Sequence, residues 1–292
     1  MGLKKLKLYS ELLKLEHTIF ALPFGLSSLW ILSKELPSVK SLFFIILALI
    51  SGRTLGMAFN RLLDKPWDEI NPRTKIWPHA QGLVKNWEIK LIIFLSLFFF
   101  LFSCSQINKL TLILSPLVVL LLWFYPLAKR IIDYPHLVLG LVYFLIPVAV
   151  DIALNEEVSL LAVFLGIAMG TWVAGFDILY SLQDYEFDQK VGLKSLPVKL
   201  GISKALKIAR FLHLLTLIFL LLLGKFYPKT TWIYYLGLLV ISLFLIYEHR
   251  LIKENDLSKI NKAFFTVNGF ISLLFFLLIV FNNWFYSFKL SL

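Results

Sequence analysis

Apolar residues in this chain come in long unbroken runs rather than in alternation with polar ones. Nine such runs, bounded by charges, Pro or Gly, cover residues 16–33, 40–63, 87–105, 110–128, 136–154, 158–183, 205–223, 230–248 and 263–285. Each is roughly 18–25 residues long, the length a helix rising about 1.5 Å per residue needs to cross a hydrocarbon layer about 30 Å thick. The pattern predicts an all-α membrane protein of nine transmembrane helices. The segments of about 10 alternating residues that build membrane β-barrels are absent. Residues 1–292 are read as one integral-membrane domain.

The cations between the runs give an orientation. When successive connections are assigned alternately to the two sides, only Lys34, Lys40, Lys109, Lys225, Lys229 and Lys289 fall on one side, and Arg53 and Arg61 lie within the second run. All other Lys and Arg fall on the opposite side, which the positive-inside rule makes cytoplasmic. The N-terminus and the loops on its side are expected in the cytoplasm, and the C-terminus outside. The first run is basic at its start but has no small-residue cleavage site, so it is read as a retained helix.

Composition agrees with a bilayer. The 292 residues are 59% hydrophobic and 16% charged, against about 45–50% and about 25% in soluble domains. The net charge of +11 therefore sets topology and lipid contact rather than nucleic-acid binding. The lone Cys104 excludes an intrachain disulfide and a cysteine metal site.

Acidic residues at the ends of spans need a reason, because they are costly in a bilayer. Asn60, Asp64 and Asp68 follow one another at steps of four and share one helical stripe, with Arg53 near it one to two turns earlier. Asp177, Asp184 and Asp188, spaced seven and four, lie within about 40° of arc, a narrower stripe still. Both clusters fall at cytoplasmic ends, so they can face each other across one mouth. Carboxylates gathered there repel one another unless cations stand between them. Their oxygen-only donors select a hard ion such as Mg²⁺, which binds one or two carboxylates plus substrate phosphates. Two such ions would clamp a diphosphate.

Each cluster runs into a basic loop, Asn71-Pro72-Arg73-Thr74-Lys75 after the first and Lys190 to Lys199 after the second, suited to phosphate oxygens. The common offset of 120 residues from Asp64 to Asp184 and from Asp68 to Asp188 hints at an internal duplication built around segments 60–68 and 177–188. Pro66 removes an N–H and crowds the carbonyl four residues back, so the first helix is expected to end near Asp64 and leave Asp68 on a loop.

These residues resemble the UbiA family of intramembrane aromatic prenyltransferases. The resemblance covers nearly the whole chain and is carried by Asn60-Arg61-Leu62-Leu63-Asp64 to Asp68, Asn71-Pro72-Arg73-Thr74, Tyr125 to Arg130, and Gly175 to Asp188 with Val191-Gly192-Leu193. It implies helices around a central cavity open to lipid, and transfer of a polyprenyl group from polyprenyl diphosphate to an aromatic acceptor with Mg²⁺. By position, Asn60, Asp64, Asp68, Asp184 and Asp188 would hold metal and diphosphate, with Asp177 completing the second motif. Arg73, Lys129 and Lys194 would hold phosphate oxygens, and Arg53 or Arg130 would face the acceptor's carboxylate. Where the family usually has Arg-Pro after the Arg-Thr pair, this chain reads Ile76-Trp77-Pro78.

An allylic cation formed by ionisation needs shielding from water and an aromatic face, for which Tyr125, Tyr143 and Tyr180 are candidates. Around Asp177 and Asp184 the similarity is greatest to the 4-hydroxybenzoate branch, which implies a carboxylated aromatic acceptor and a place in ubiquinone-type synthesis at a bacterial inner membrane. A dihydroxynaphthoate-type acceptor in menaquinone synthesis is the alternative. From another class, a cation-coupled transporter also uses intramembrane acids, but its sites lie near the midplane. His17, His79, His136, His213 and His249 have no ligand spacing and are expected to be structural. The pair Glu16-His17 resembles a family segment and is assigned no role.

Overall fold

The computed structural model describes residues 2–15, 18–35 and 37–290, so Glu16 and His17 lie outside the described residues. Twelve α-helices follow one another among them: α1 (Gly2–Leu13), α2 (Thr18–Leu32), α3 (Val39–Asp68), α4 (Asn86–Ile107), α5 (Lys109–Ile131), α6 (Pro135–Asn155), α7 (Leu160–Ser181), α8 (Tyr185–Val191), α9 (Leu196–Leu200), α10 (Ile202–Phe226), α11 (Trp232–Leu251) and α12 (Asn268–Leu290). Eight helices among the described residues are long and apolar enough to cross a membrane. The expected first span is the shorter helix α2, 15 residues with Pro23 inside it. The chain is a multi-pass membrane protein.

The helices group into two compact units, one of residues 1–18 and 38–131, the other of residues 19–37 and 132–292. In the first, α3 packs along α4 and against α5. Glycines allow the approach: a Cβ on Gly56 would come within 3.1 Å of Leu122 on α5. Small residues let membrane helices approach where no hydrophobic effect drives them together. Glu88, at the start of α4, ties down α1: it accepts from Lys5 Nζ at 2.8 Å and Tyr9 Oη at 2.7 Å, and from the Lys85 N–H at 2.8 Å. Two arginines of α3 bind the other end of α1. Arg53 donates to the carbonyls of Leu13 (2.8 Å) and Lys14 (2.6 Å), and Arg61 to that of Leu12 (2.9 Å). They satisfy carbonyls that a helix C-terminus leaves without an intrahelical partner.

In the second unit α7 is the most buried span and packs on α6 and α10. Gly140 and Gly170 bring α6 and α7 into backbone contact; a Cβ on either would meet the other's carbonyl oxygen at 2.7 Å. Polar groups join the helices from within. Trp172 Nε1 donates to Asn268 Oδ1 (2.9 Å), Asn268 Nδ2 donates to Glu248 Oε1 (2.6 Å), and Thr171 and Thr216 hydroxyls meet at 2.9 Å. His213 Nδ1 stands 3.5 Å from Glu248 and 2.9 Å from His249 Nε2. Asp151, buried at the far end of α6, takes the Ser159 N–H (2.7 Å) and the Asn155 amide (2.6 Å), clamping the connection to α7.

Two helix ends differ from the sequence expectation. Helix α3 continues through Pro66 to Asp68, so Asp68 is helical rather than on a loop. Pro66 sits in the last turn, where the missing N–H forfeits only the bond to the Leu62 carbonyl. The turn is held by bonds made beyond it: the Thr74 hydroxyl donates to the Asp68 carbonyl at 3.1 Å. The second acidic segment is not one continuous α-helix. After Ser181 the chain tightens into a 3₁₀ turn, Leu182–Asp184, before α8 starts at Tyr185. The narrow arc expected for Asp177, Asp184 and Asp188 assumed uninterrupted 3.6-residue turns, so it does not describe their directions.

Candidate active site

The first motif lies on the last turns of α3. Asp64 and Asp68 are buried, at 3% and 7% exposure, at the end of an apolar span. Asn60 Nδ2 donates to Asp64 Oδ2 at 3.0 Å, as steps of four on one helix face permit. The last turn of α5 brings two cations to the same carboxylate: Lys129 Nζ is 2.8 Å from Oδ2, and Arg130 Nη2 is 3.5 Å from Oδ1 and bonds the Leu63 carbonyl. Their place at a helix C-terminus also suits the dipole. Asp64 Oδ1 is buried without a hydrogen bond among the described residues. A hydrogen-bond deficit of this kind on a buried carboxylate is a place for an ion.

Asp68 is held differently. His79, fully buried, lies with Nε2 2.8 Å from Asp68 Oδ2, and Arg61 is 3.9 Å away. Arg61 also stacks 4.1 Å over the Trp77 ring, and Arg73 and Lys14 lie 5.4 and 5.3 Å from its centroid. Trp77, where this chain departs from the family pattern, therefore gathers three cations by their attraction to its π face. In the loop the Arg73 N–H donates to Asn71 Oδ1 at 2.9 Å.

In the second motif Asp177 Oδ2 lies 2.7 Å from His136 Nδ1, and His136 Nε2 receives the Leu196 N–H at 3.4 Å. An amide only donates, so Nε2 is the bare nitrogen and Nδ1–H donates to Asp177. Tyr180 stacks on Phe264 at 4.0 Å between ring centroids. Phe264 is carried by a π-helical turn, Lys262–Val267, that leads into α12. Asp184 and Asp188 are half-buried, and Lys194 is exposed in the connection between α8 and α9. Gly192 ends α8 at φ +76°, a conformation glycine adopts without strain, and the Leu193 N–H then closes on the Asp188 carbonyl at 2.9 Å.

The structure thus brings Asn60, Asp64, Lys129 and Arg130 together, while Arg53 is engaged by α1. Sequence reasoning missed His79 and His136, each bonded to a motif aspartate. No single helix carries either pair, since His79 lies in the loop beyond α3 and His136 on α6 while Asp177 is on α7, so no sequence spacing marks them. Among the described residues no three His, Cys, Asp or Glu side chains stand close enough to cage an ion by themselves. The site nevertheless suits a hard divalent ion, since Asp64 keeps Oδ1 without a hydrogen bond and such an ion takes its remaining ligands from water and phosphate.

Residues 21–274 match the model of the UbiA prenyltransferase family. The chain belongs to that family. The match runs through both compact units. Among relatives of this UbiA prenyltransferase, a 4-hydroxybenzoate octaprenyltransferase of Francisella tularensis subsp. mediasiatica is 30% identical over 286 residues, covering 96% of this chain and 99% of the relative. The enzyme of the same name from Marinobacter nauticus is 31% identical over 265 residues, with 89% of each chain covered. The apo structure of a UbiA homologue from Aeropyrum pernix K1 superposes with a TM-score of 0.82 at 29% identity, covering 91% of this chain and 98% of the other. A homologue from Archaeoglobus fulgidus, solved with GPP and Mg²⁺, shares the fold at a TM-score of 0.76 and 20% identity, covering 94% and 99%.

Proposed function

We propose that this prenyltransferase moves a polyprenyl group from polyprenyl diphosphate to 4-hydroxybenzoate and releases diphosphate, using Mg²⁺, as a step of ubiquinone-type quinone synthesis. The observation that carries this reading is Asp64: a buried carboxylate oxygen without a hydrogen bond, beside Asn60 and two cations, at the end of an apolar span. The names of the Francisella and Marinobacter relatives support the acceptor. The homologue solved with GPP and Mg²⁺ supports the donor and the ion.

When bound, Mg²⁺ supplies positive charge that offsets the negative charge growing on the leaving diphosphate. Asn60, Asp64 and Asp68 of the first motif, and Asp184 and Asp188 of the second, would hold it, with Asp177 set by His136. Lys129, Arg73 and Lys194 give their charge to phosphate oxygens. The donor's C–O bond breaks, the pair of electrons leaves with the diphosphate, and apolar walls keep water from the allylic cation. The Tyr180 face stabilises that cation. Arg130 orients the acceptor carboxylate, a C–C bond forms at the ring, and the ring proton is lost. By the bias of Lys and Arg the N-terminus and the loops carrying both motifs face the cytoplasm, and the bacterial relatives support the inner membrane.

The test is incorporation of labelled prenyl diphosphate into 4-hydroxybenzoate by the full chain in membranes, with and without EDTA, read by mass spectrometry. Metal-dependent product supports the reading. Product only with 1,4-dihydroxy-2-naphthoate moves the chain to the menaquinone branch, and no product with either acceptor refutes aromatic prenyl transfer.

A further inference from the structure

Behind the second motif, at the same end of its unit, a second basic concavity opens between α10 and α11. Its volume is about 480 Å³, and Ser203, Lys207, Arg210, Arg250, Lys253 and Glu254 line it around a floor that includes Leu206, His249 and Ile252. Leu206 and Ile252 belong to the apolar cluster that also contains Leu182 and Leu196, residues flanking the second motif. That shared cluster fixes the concavity at the membrane-surface end of the helices.

The sequence builds the charge deliberately into one place. Ser203, Lys207 and Arg210 follow at steps of four and three in the first turns of α10, so they share a face. The N-terminal end of a 25-residue helix adds its partial positive charge there. Arg250 is in the last turn of α11, and the chain then turns back on itself, with Lys253 and Asp256 exchanging backbone hydrogen bonds at 3.1 and 3.0 Å. Four cations thus face one carboxylate, Glu254. Asp256, the next acid, is turned to Ser258, whose hydroxyl and N–H donate to it at 2.6 and 3.1 Å. On the floor, His249 gives Nε2 to His213 and keeps Nδ1 buried without a hydrogen-bond partner among the described residues.

We propose that this concavity is a phosphate-binding site separate from the prenyl-transfer site, and that it takes a phosphate group, esterified or free. The arginines supply forked donors matched to phosphate oxygens. Ser203 adds a hydroxyl, and the apolar floor accepts the first carbons of whatever carries the phosphate. Two sources present this chemistry at a membrane surface, the headgroup of an anionic phospholipid and free phosphate.

The purified full chain in neutral detergent with EDTA, followed by native mass spectrometry, tests this with dioleoyl phosphatidylglycerol, dioleoyl phosphatidylcholine and inorganic phosphate as probes. The wild type is expected to retain phosphatidylglycerol in preference to phosphatidylcholine. R210Q/R250Q should lose more than tenfold of that affinity, since each basic side chain at a charged interface is worth about fivefold. K225Q/K229Q, at the other end of α10, should keep it. Displacement of the lipid by millimolar phosphate in the wild type assigns free phosphate as a ligand, and its absence assigns the headgroup. Should R210Q/R250Q fail to fold, K207Q is read in its place, with about a fivefold loss expected. Equal retention of the two lipids with no phosphate binding, or identical behaviour of wild type and variants, overturns the proposal.

Discussion

Nε2 of His79 lies 2.8 Å from Oδ2 of Asp68, and both side chains are buried. The loop after α3 therefore reaches back and holds the last acid of the first motif in place. His79→Ala removes the group that hydrogen-bonds that carboxylate at 2.8 Å and leaves Arg61 at 3.9 Å. We expect a stability loss of about 1–3 kcal/mol, the cost of an unsatisfied buried group, together with slower transfer. His79→Gln should restore part of both. Thermal unfolding in detergent and initial rates of prenyl transfer check this; unchanged values in the alanine variant would contradict it.

Asp64→Ala and Asp184→Ala should each lower transfer by about 10²-fold or more, the scale of losing a group that stabilises developing charge. Helical content by circular dichroism should stay at the wild-type level. EDTA should silence the wild type and excess Mg²⁺ restore it. Full activity in either variant would remove that carboxylate from the site.

Lys129→Met tests the ion pair at 2.8 Å from Asp64. With its charge gone, kcat/KM for the prenyl diphosphate should fall roughly 10- to 100-fold, in keeping with about 1.5–3 kcal/mol for a charged hydrogen bond. The acceptor's KM should move little. Steady-state kinetics with each substrate varied in turn separates the two.

Arg53 and Arg130 share a sequence expectation but differ in surroundings. Arg130→Ala should raise the acceptor's KM more than the donor's. Arg53→Ala should leave the acceptor's KM unchanged and free α1, seen as faster cleavage near Lys14 in limited proteolysis. Equal effects of both on acceptor kinetics would return Arg53 to the acceptor.

Gly140→Val places a branched side chain where even a Cβ would meet the Gly170 carbonyl at 2.7 Å. Overpacking of this kind costs about 1–3 kcal/mol, and backbone, unlike a side chain, cannot swing aside. A lower midpoint of thermal unfolding in detergent is expected, with the midpoint of Leu141→Val, on the exposed side of α6, close to wild type.

The spans were legible because length and apolarity are properties of a run of residues, readable one after another. Helix ends were less so. Pro66 is a helix breaker by local rules, yet Thr74 and His79, from beyond the turn, hold α3 together to Asp68. The 3₁₀ turn at Leu182–Asp184 leaves no mark in the acid spacing, which looks continuous on paper. Asn60 with Asp64 follows from a step of four. His136 with Asp177 follows from the packing of α6 on α7, and neither residue announces the other. Trp77 looked like an unexplained departure until its ring was seen among three cations.

The two arginines of α3 that grip the end of α1 make the amino-terminal helix a fastened part of its unit rather than an appendage. Trimming the first 14 residues would remove the carbonyls of Leu12, Leu13 and Lys14 that receive their N–H groups, one of these arginines lying on a buried stretch of a membrane span. Shortened versions designed for easier crystallisation should accordingly aggregate or be degraded.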